Sequence, residues 1–442
     1  MIYLVFSTAF VVSFLWMDVG ILLLMINTCT ITIPFLYYKI PGIGGLQMSD
    51  FALMGIAANL FAYKRLSLNH DKRIFIFTCL WFLCVAAIEL GPGGKGINVF
   101  YNMFIRTGLL WLVPVAIISM PRKTTQRLFV FITLCALFVT VIQGYAFYGH
   151  DAAFVAGAYY QFQNPDVYLD PEQNMVDCYD MDILPRMYPS GTLLVLMVMI
   201  FYVGVLFADV KRSRWETFCI VAGLVAFSLF FLSLRQRSAI LALCLPILFL
   251  MRSQARNIQN RRRLFTYALS FGVVILVSIS LALKLTNLSF FQELIGRFQD
   301  TLVIGSNRLL DDGLAMRAII QSPLNGIGRT SLIPEARASG LNTLGLDVHP
   351  FLAAGLLAGV PFMTLIIVLI RYLYRRYRIR QIAPHDWVVI AVASAILYAL
   401  FLALLNITQL FTDPKHMVPF LIFAGLFLAY SNNLLKDGTH GA

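Results

Sequence analysis

Thirteen apolar stretches run along the chain, near residues 2–16, 19–38, 48–63, 74–90, 99–120, 128–148, 189–208, 217–234, 238–251, 265–287, 349–370, 387–406 and 417–432. A helix needs about 20 residues to cross the hydrocarbon of a bilayer, and most of these stretches come close. In hydrocarbon each backbone polar group must be satisfied internally, which a helix does within its own segment. The pattern therefore predicts an all-α, polytopic membrane bundle of 12 or 13 transmembrane helices. The count turns on residues 2–38, too long for one straight helix and too short for two comfortable ones. Nothing marks a soluble module, so residues 1–442 read as a single membrane domain.

Composition agrees: 59% of the residues are hydrophobic and 13% charged, outside the usual range of soluble domains. The first stretch, IYLVFSTAFVVSFLW, lacks a basic n-region and a small-residue cleavage site, and reads as a retained segment. Six of the seven cysteines stand singly in apolar runs and Cys178 lies in a polar loop. With no CxxC pair, neither a disulfide framework nor a metal site is indicated, and no cofactor is expected.

Charge orients the bundle. One set of connections is short and basic: Lys64, Arg65, Lys72 and Arg73; Arg122, Lys123 and Arg127; Lys211, Arg212 and Arg214; Arg252, Arg256 and Arg261 to Arg263; Arg371, Arg375, Arg376, Arg378 and Arg380. These hold 20 of the 34 basic residues. By the positive-inside rule they face the cytoplasm, as does the C-terminus. The net charge of +12 thus reports orientation, and no nucleic-acid partner is needed to explain it.

The alternate connections face outward, and two are long: 149–188, rich in acids and tyrosines, and 288–348, with helical periodicity around Leu309–Ile320. An amphipathic helix is expected from Asp311 to Gln321, ended by Ser322-Pro323, with Gly326 and Gly328 allowing a tight turn. Glu89 and Arg106 also fall on this side and read as a structural ion pair.

The same side carries the candidate chemistry. Between Thr217 and Met251 the apolar run is broken by Arg235-Gln236-Arg237. Each arginine would cost about 2.5–3.5 kcal/mol at a helix centre on insertion scales. They are placed instead at a tight outer turn between two helices, where a planar guanidinium can bond phosphate or diphosphate bidentately. Asp347-Val348-His349-Pro350 sets a histidine at the mouth of the next crossing, with Gly355 and Gly359 forming a seam for close helix packing.

Arg237-SAIL, then Arg308 followed by Pro323, Gly326 and Gly328, then His349-Pro350-Phe351-Leu352 leading to Gly355 and Gly359, resembles the bacterial O-antigen ligase/polymerase superfamily. Its members carry a membrane arginine, an R-x14-P-x2-G-x-G segment and a histidine motif in this order. The likeness spans residues 186–375 by motif and the whole chain by hydropathy order. Three positions depart from the family: Pro350 stands where Asn is usual, Asp312 where an aromatic is usual, and Ser238 where Gly is usual. The first leaves the handling of the acceptor open.

The resemblance implies a metal-independent glycosyltransferase of GT-C-like fold in the bacterial inner membrane, its active site facing the periplasm. The donor would be a glycan on undecaprenyl diphosphate. Arg237 and Arg308 are the leading groups to stabilise the departing diphosphate, with Arg235, Arg329 and Arg186 in support, and His349 is the expected general base. A polymerase would pass the glycan to a second lipid-linked glycan, and a chain-length regulator is a conceivable partner. A ligase would pass it to lipid A-core. The long outer loops favour the polymerase. A transporter or flippase of lipid-linked glycans is the alternative of another class, disfavoured by the one-sided polar groups and the absence of a repeat.

Overall fold

The computed structural model describes residues 2–29, 37–40, 44–89, 104–148, 191–207, 213–233, 237–255, 312–313, 315–326, 349–380, 387–405 and 410–438. In chain order the elements are α1 (Ile2–Leu15), α2 (Met17–Cys29), β1 (Tyr37–Ile40), β2 (Gly44–Gln47), α3 (Met48–Ala62), α4 (His70–Glu89), α5 (Arg106–Leu110), α6 (Val113–Ile118), α7 (Arg122–Tyr148), α8 (Thr192–Phe207), α9 (Arg214–Ser233) and α10 (Arg237–Ala255). Then come α11 (315–321), α12 (Pro350–Arg380), α13 (Trp387–Leu404) and α14 (Pro414–Gly438). Among the described residues, four helical stretches are long and apolar enough to cross a membrane: Arg122–Ile142, Arg214–Leu232, Pro350–Arg378 and Trp387–Leu404. Six more are apolar but shorter.

The described chain is helical as expected, with one addition: β1 and β2 form an antiparallel hairpin with Tyr37 opposite Gln47 and Ile40 opposite Gly44. Two apolar stretches need correction. The stretch 19–38 is therefore not one crossing: α2 ends at Cys29, and Tyr37 and Tyr38 already belong to β1. The stretch 99–120 divides into α5 and α6 at Trp111–Leu112. Pro114 is the reason, since a proline has no N–H to give the carbonyl four residues before it, here Leu110.

The helices alternate in sense between two ends. At the first, Asn27 at the foot of α2 donates to Gln47 Oε1 (3.0 Å) and Ser49 Oγ (2.9 Å). Asp50, 3% exposed, caps the start of α3 by accepting the Gln47 N–H (2.8 Å). It also receives a fork from Arg106, Nε to Oδ1 at 2.6 Å and Nη2 to Oδ2 at 2.7 Å. Sequence reading paired Arg106 with Glu89. The described partner is Asp50, and the Glu89 side chain lies outside the described residues.

At the opposite end Asp71 ties three helices together. It accepts from Tyr372 and Arg376 of α12 and from Asn432 of α14. Nearby, Lys72 donates to the Arg65 carbonyl at 2.6 Å. Burial holds its ammonium below the usual lysine value, and the Arg65 charge adds to this.

These contacts fix where the chain enters and leaves. Phe6 stacks on Phe51 at 4.7 Å, so α1 begins at the Asp50 end. Phe249 meets Tyr377 at 4.9 Å, so α10 finishes at the Asp71 end, whereas Phe351 meets Phe411 at 5.7 Å where α12 begins, at the Asp50 end. The chain between α10 and α12 thus passes from one end to the other. The stretch 265–287, expected to cross there, lies outside the described residues.

Helix α8 forms the centre. All of its residues but Tyr202 are buried, as expected of a helix apolar on every face. Gly204 packs there against Ala391 of α13, where a Cβ would come within 2.7 Å of the Ala391 Cα.

Candidate functional site

At the Asp50 end a loop segment and a broken helix lock together. Helix α12 is interrupted at Ala358 (φ −141°, ψ 23°) and Gly359 (φ 78°, ψ −177°). Pro361 sets the break: it has no N–H for the Leu357 carbonyl, and its ring crowds that turn. A break inside an apolar bundle frees polar backbone groups that need partners. Val360 gives its N–H to the Pro323 carbonyl at 2.8 Å. Ala358 receives the indole Nε1–H of Trp81, from α4, at 2.8 Å.

The partner segment is α11 and the turn after it. Of the expected amphipathic helix, residues 315–321 are described as one: Ala315, Ala318 and Ile319 are buried while Arg317 and Gln321 are exposed, together with the apolar Met316 and Ile320. It stops at Ser322 as Pro323 requires. Gly326 turns the chain with φ 69°. A Cβ there would lie 2.4 Å from the Leu356 carbonyl oxygen, and a Cβ on Gly359 would lie 2.2 Å from that of Leu324. Two left-handed glycines thus press their bare Cα atoms against each other's strand of chain. Gly355 meets Ile319, as a close-packing seam should, but Gly359 serves as the hinge of the break.

His349 stands just before this half-helix and caps it. Its Nδ1 accepts the N–H of Phe351 at 3.4 Å, and the two rings lie nearly parallel, 17° apart with centroids 5.8 Å apart. Pro350 occupies the first helical position, where a fixed φ and a missing N–H suit the helix. The backbone N–H of His349 goes to Asp312 Oδ1 at 2.9 Å. The carboxylate sits well there, against the positive end of the helix dipole.

Of the sequence candidates, His349 is thus placed in full. Arg237 opens α10, at the same end as His349, since α10 finishes at the Asp71 end; two residues on, the Ala239 carbonyl accepts a 3.4 Å bond from the Tyr398 hydroxyl. The Arg237 side chain lies outside the described residues, as do Arg235, Arg308, Arg329, Arg186 and Gly328. The first long loop, 149–188, is outside as well, and the second, 288–348, is described only at 312–313 and 315–326.

Asp312 and Trp81 complete this interlock, and sequence reading singled out neither as part of a candidate site. Asp312 was visible as a departure from the family pattern, but its partner lies far along the chain. Among the described residues, no three His, Cys, Asp or Glu side chains gather where they could hold a metal ion. Comparison with protein-family models, with curated proteins and with solved structures finds no match.

Proposed function

We propose that the chain is an inner-membrane glycosyltransferase, a polysaccharide polymerase that takes glycan from undecaprenyl diphosphate at the periplasmic face. Lipid-linked glycan is its acceptor, and lipid A-core would be the acceptor of a ligase. The observation that carries this reading is the interlock of residues 312–326 with α12, which ties the segment following Arg308 to the half-helix capped by His349. Arg237 starts its helix at the same end.

Orientation supports it too. Lys64, Arg65, Arg73, Arg122, Arg127, Arg252, Arg371, Arg375 and Arg378 belong to the Asp71 end, which the positive-inside rule assigns to the cytoplasm. The candidate site is then periplasmic, and α14 ends in the cytoplasm. In the reaction the acceptor hydroxyl bonds the anomeric carbon as the carbon–oxygen bond to diphosphate breaks. The electron pair leaves on the diphosphate, where Arg237 and Arg308 offset the charge.

One feature favours a second reading. Discontinuous helices are common in transporters of the membrane midplane, and α12 is discontinuous. Its break, however, is filled by Pro323 and Trp81, which leaves those freed backbone groups paired. Incubating the purified protein with labelled undecaprenyl diphosphate glycan and both acceptors tests the choice. Product on a second carrier supports the polymerase and product on lipid A-core the ligase. No covalent product with either acceptor would exclude both.

A further inference from the structure

His349 was expected to remove a proton, yet its capping geometry prepares it to give a hydrogen bond. A neutral imidazole has one acceptor nitrogen and one N–H. Nδ1 is the acceptor here, because it receives the Phe351 N–H at 3.4 Å. The proton of the neutral ring therefore belongs on Nε2. Two further contacts fix the position of the residue. Asp312 anchors the His349 backbone by its N–H at 2.9 Å, and the Phe351 ring lies 17° from parallel with the imidazole. An Nε2 that carries a proton cannot take one from a hydroxyl, whereas it can donate to an oxyanion.

We propose that His349 is held as the Nε2–H tautomer and serves as a hydrogen-bond donor to a diphosphate oxygen, with Asp312 as the positioning residue that fixes its backbone. The proposal rests on the glycosyl-transfer reading for the identity of the diphosphate as part of the donor substrate. In that step His349 is neither consumed nor ionised. The acceptor oxygen bonds the anomeric carbon, the bond to the diphosphate oxygen breaks with its electron pair on that oxygen, and the acceptor proton passes to the released diphosphate or to water at the outer mouth. The side chain of His349 is half-buried, so a ligand can reach it. Asp312 and Pro350 also gain a common purpose: one closes the N–H of the cap residue and the other starts the helix behind it.

The tautomer is measured first, independently of turnover. The protein carries six histidines, and His349 is assigned in ring-15N-labelled protein by the signal lost in His349→Asn. At alkaline pH, with the ring neutral, the expected spectrum shows a protonated Nε2 and a bare Nδ1. Inorganic diphosphate should then shift Nε2 more than Nδ1. A protonated Nδ1, or an Nε2 that diphosphate leaves unmoved, overturns the proposal.

Transfer by His349→Gln, His349→Asn and His349→Ala supplies the second arm. The glutamine amide offers an N–H near the Nε2 position, while asparagine keeps a capping acceptor and lacks that donor. The Gln variant should retain at least a tenth of the rate, and Asn and Ala should each fall by roughly 100-fold or more, the scale of a lost oxyanion donor. A folded Gln variant as inactive as Ala means a base and overturns the donor role. An Asn variant as active as the wild type means a helix cap alone and overturns it too. A wild-type protein that shows the Nε2–H tautomer and the diphosphate shift but transfers no glycan removes the glycosyltransferase reading and leaves the oxyanion contact standing. Asp312→Asn, which keeps an acceptor oxygen for the His349 N–H, should rescue the tautomer that Asp312→Ala disturbs.

Discussion

Pro323 accepts the backbone N–H that Val360 has no carbonyl to give to within its own broken helix. This bond joins the turn after α11 to α12. The glycines on either side fix the fit: Gly326 at φ 69° lies against Leu356, and Gly359 at φ 78° lies against Leu324.

Alanine at either glycine should destabilise the protein. A left-handed alanine costs roughly 1–2 kcal/mol by itself, and a Cβ 2.2 Å from the Leu324 oxygen requires the loop to move as well. Thermal unfolding of detergent-purified Gly326→Ala and Gly359→Ala should give clearly lowered midpoints. Gly144→Ala, where a Cβ meets nothing within 4 Å, should be neutral or slightly stabilising. Equal behaviour of all three variants would contradict the interlock.

Trp81→Phe should act on the same break from the other side. It keeps most of the ring but leaves the Ala358 carbonyl without its 2.8 Å donor. A buried unpaired carbonyl costs about 1–3 kcal/mol. A loss of that size in chemical unfolding, absent when an exposed aromatic such as Trp215 is changed to Phe, is the expected result.

The pair Asp50–Arg106 predicts a non-additive result. Its carboxylate is 2% exposed and its guanidinium 14%. Removing one partner strands a buried charge, an effect of about 3–5 kcal/mol in comparable pairs. Asp50→Asn and Arg106→Met should each destabilise strongly, and the double variant by less than their sum. Additive losses in a double-mutant cycle would mean that the two side chains do not act as a pair.

Much of this fold could be read from apolar periodicity, and the reasons for the exceptions are physical. Hydropathy places α3, α4, α8 and α9 to within four residues, because each is a continuous apolar run, whereas α7 begins six residues before its stretch, at Arg122. It cannot see the split at Trp111–Leu112 or at Ala358–Gly359, where proline chemistry interrupts a run that stays apolar throughout. The hairpin at 37–47 was missed because Tyr37 and Tyr38 continue the hydrophobic pattern of α2. At the interlock, sequence reading singled out His349 as a candidate and expected the Ser322-Pro323 stop. Asp312, Trp81 and Asp71 escaped, since each works through a partner on a distant segment and a single sequence does not record which segments meet.

Arg237→Ala and Arg308→Ala should each lower glycan transfer by at least about 100-fold, in keeping with the loss of an oxyanion-stabilising group. Membrane insertion and unfolding midpoints should not change, because replacing a charge by a methyl group does not oppose insertion of an apolar chain. Activity within a few-fold of wild type in either variant would remove that arginine from the diphosphate site.

The most direct measurement is single-turnover transfer by the purified wild-type protein in reconstituted membranes. Labelled undecaprenyl diphosphate glycan is supplied with lipid-linked acceptor, and EDTA is present throughout. The expected outcome is a covalently extended glycan together with released undecaprenyl diphosphate, at a rate that the chelator leaves unchanged. Donor recovered intact, whether left in place or moved between leaflets, would contradict the account.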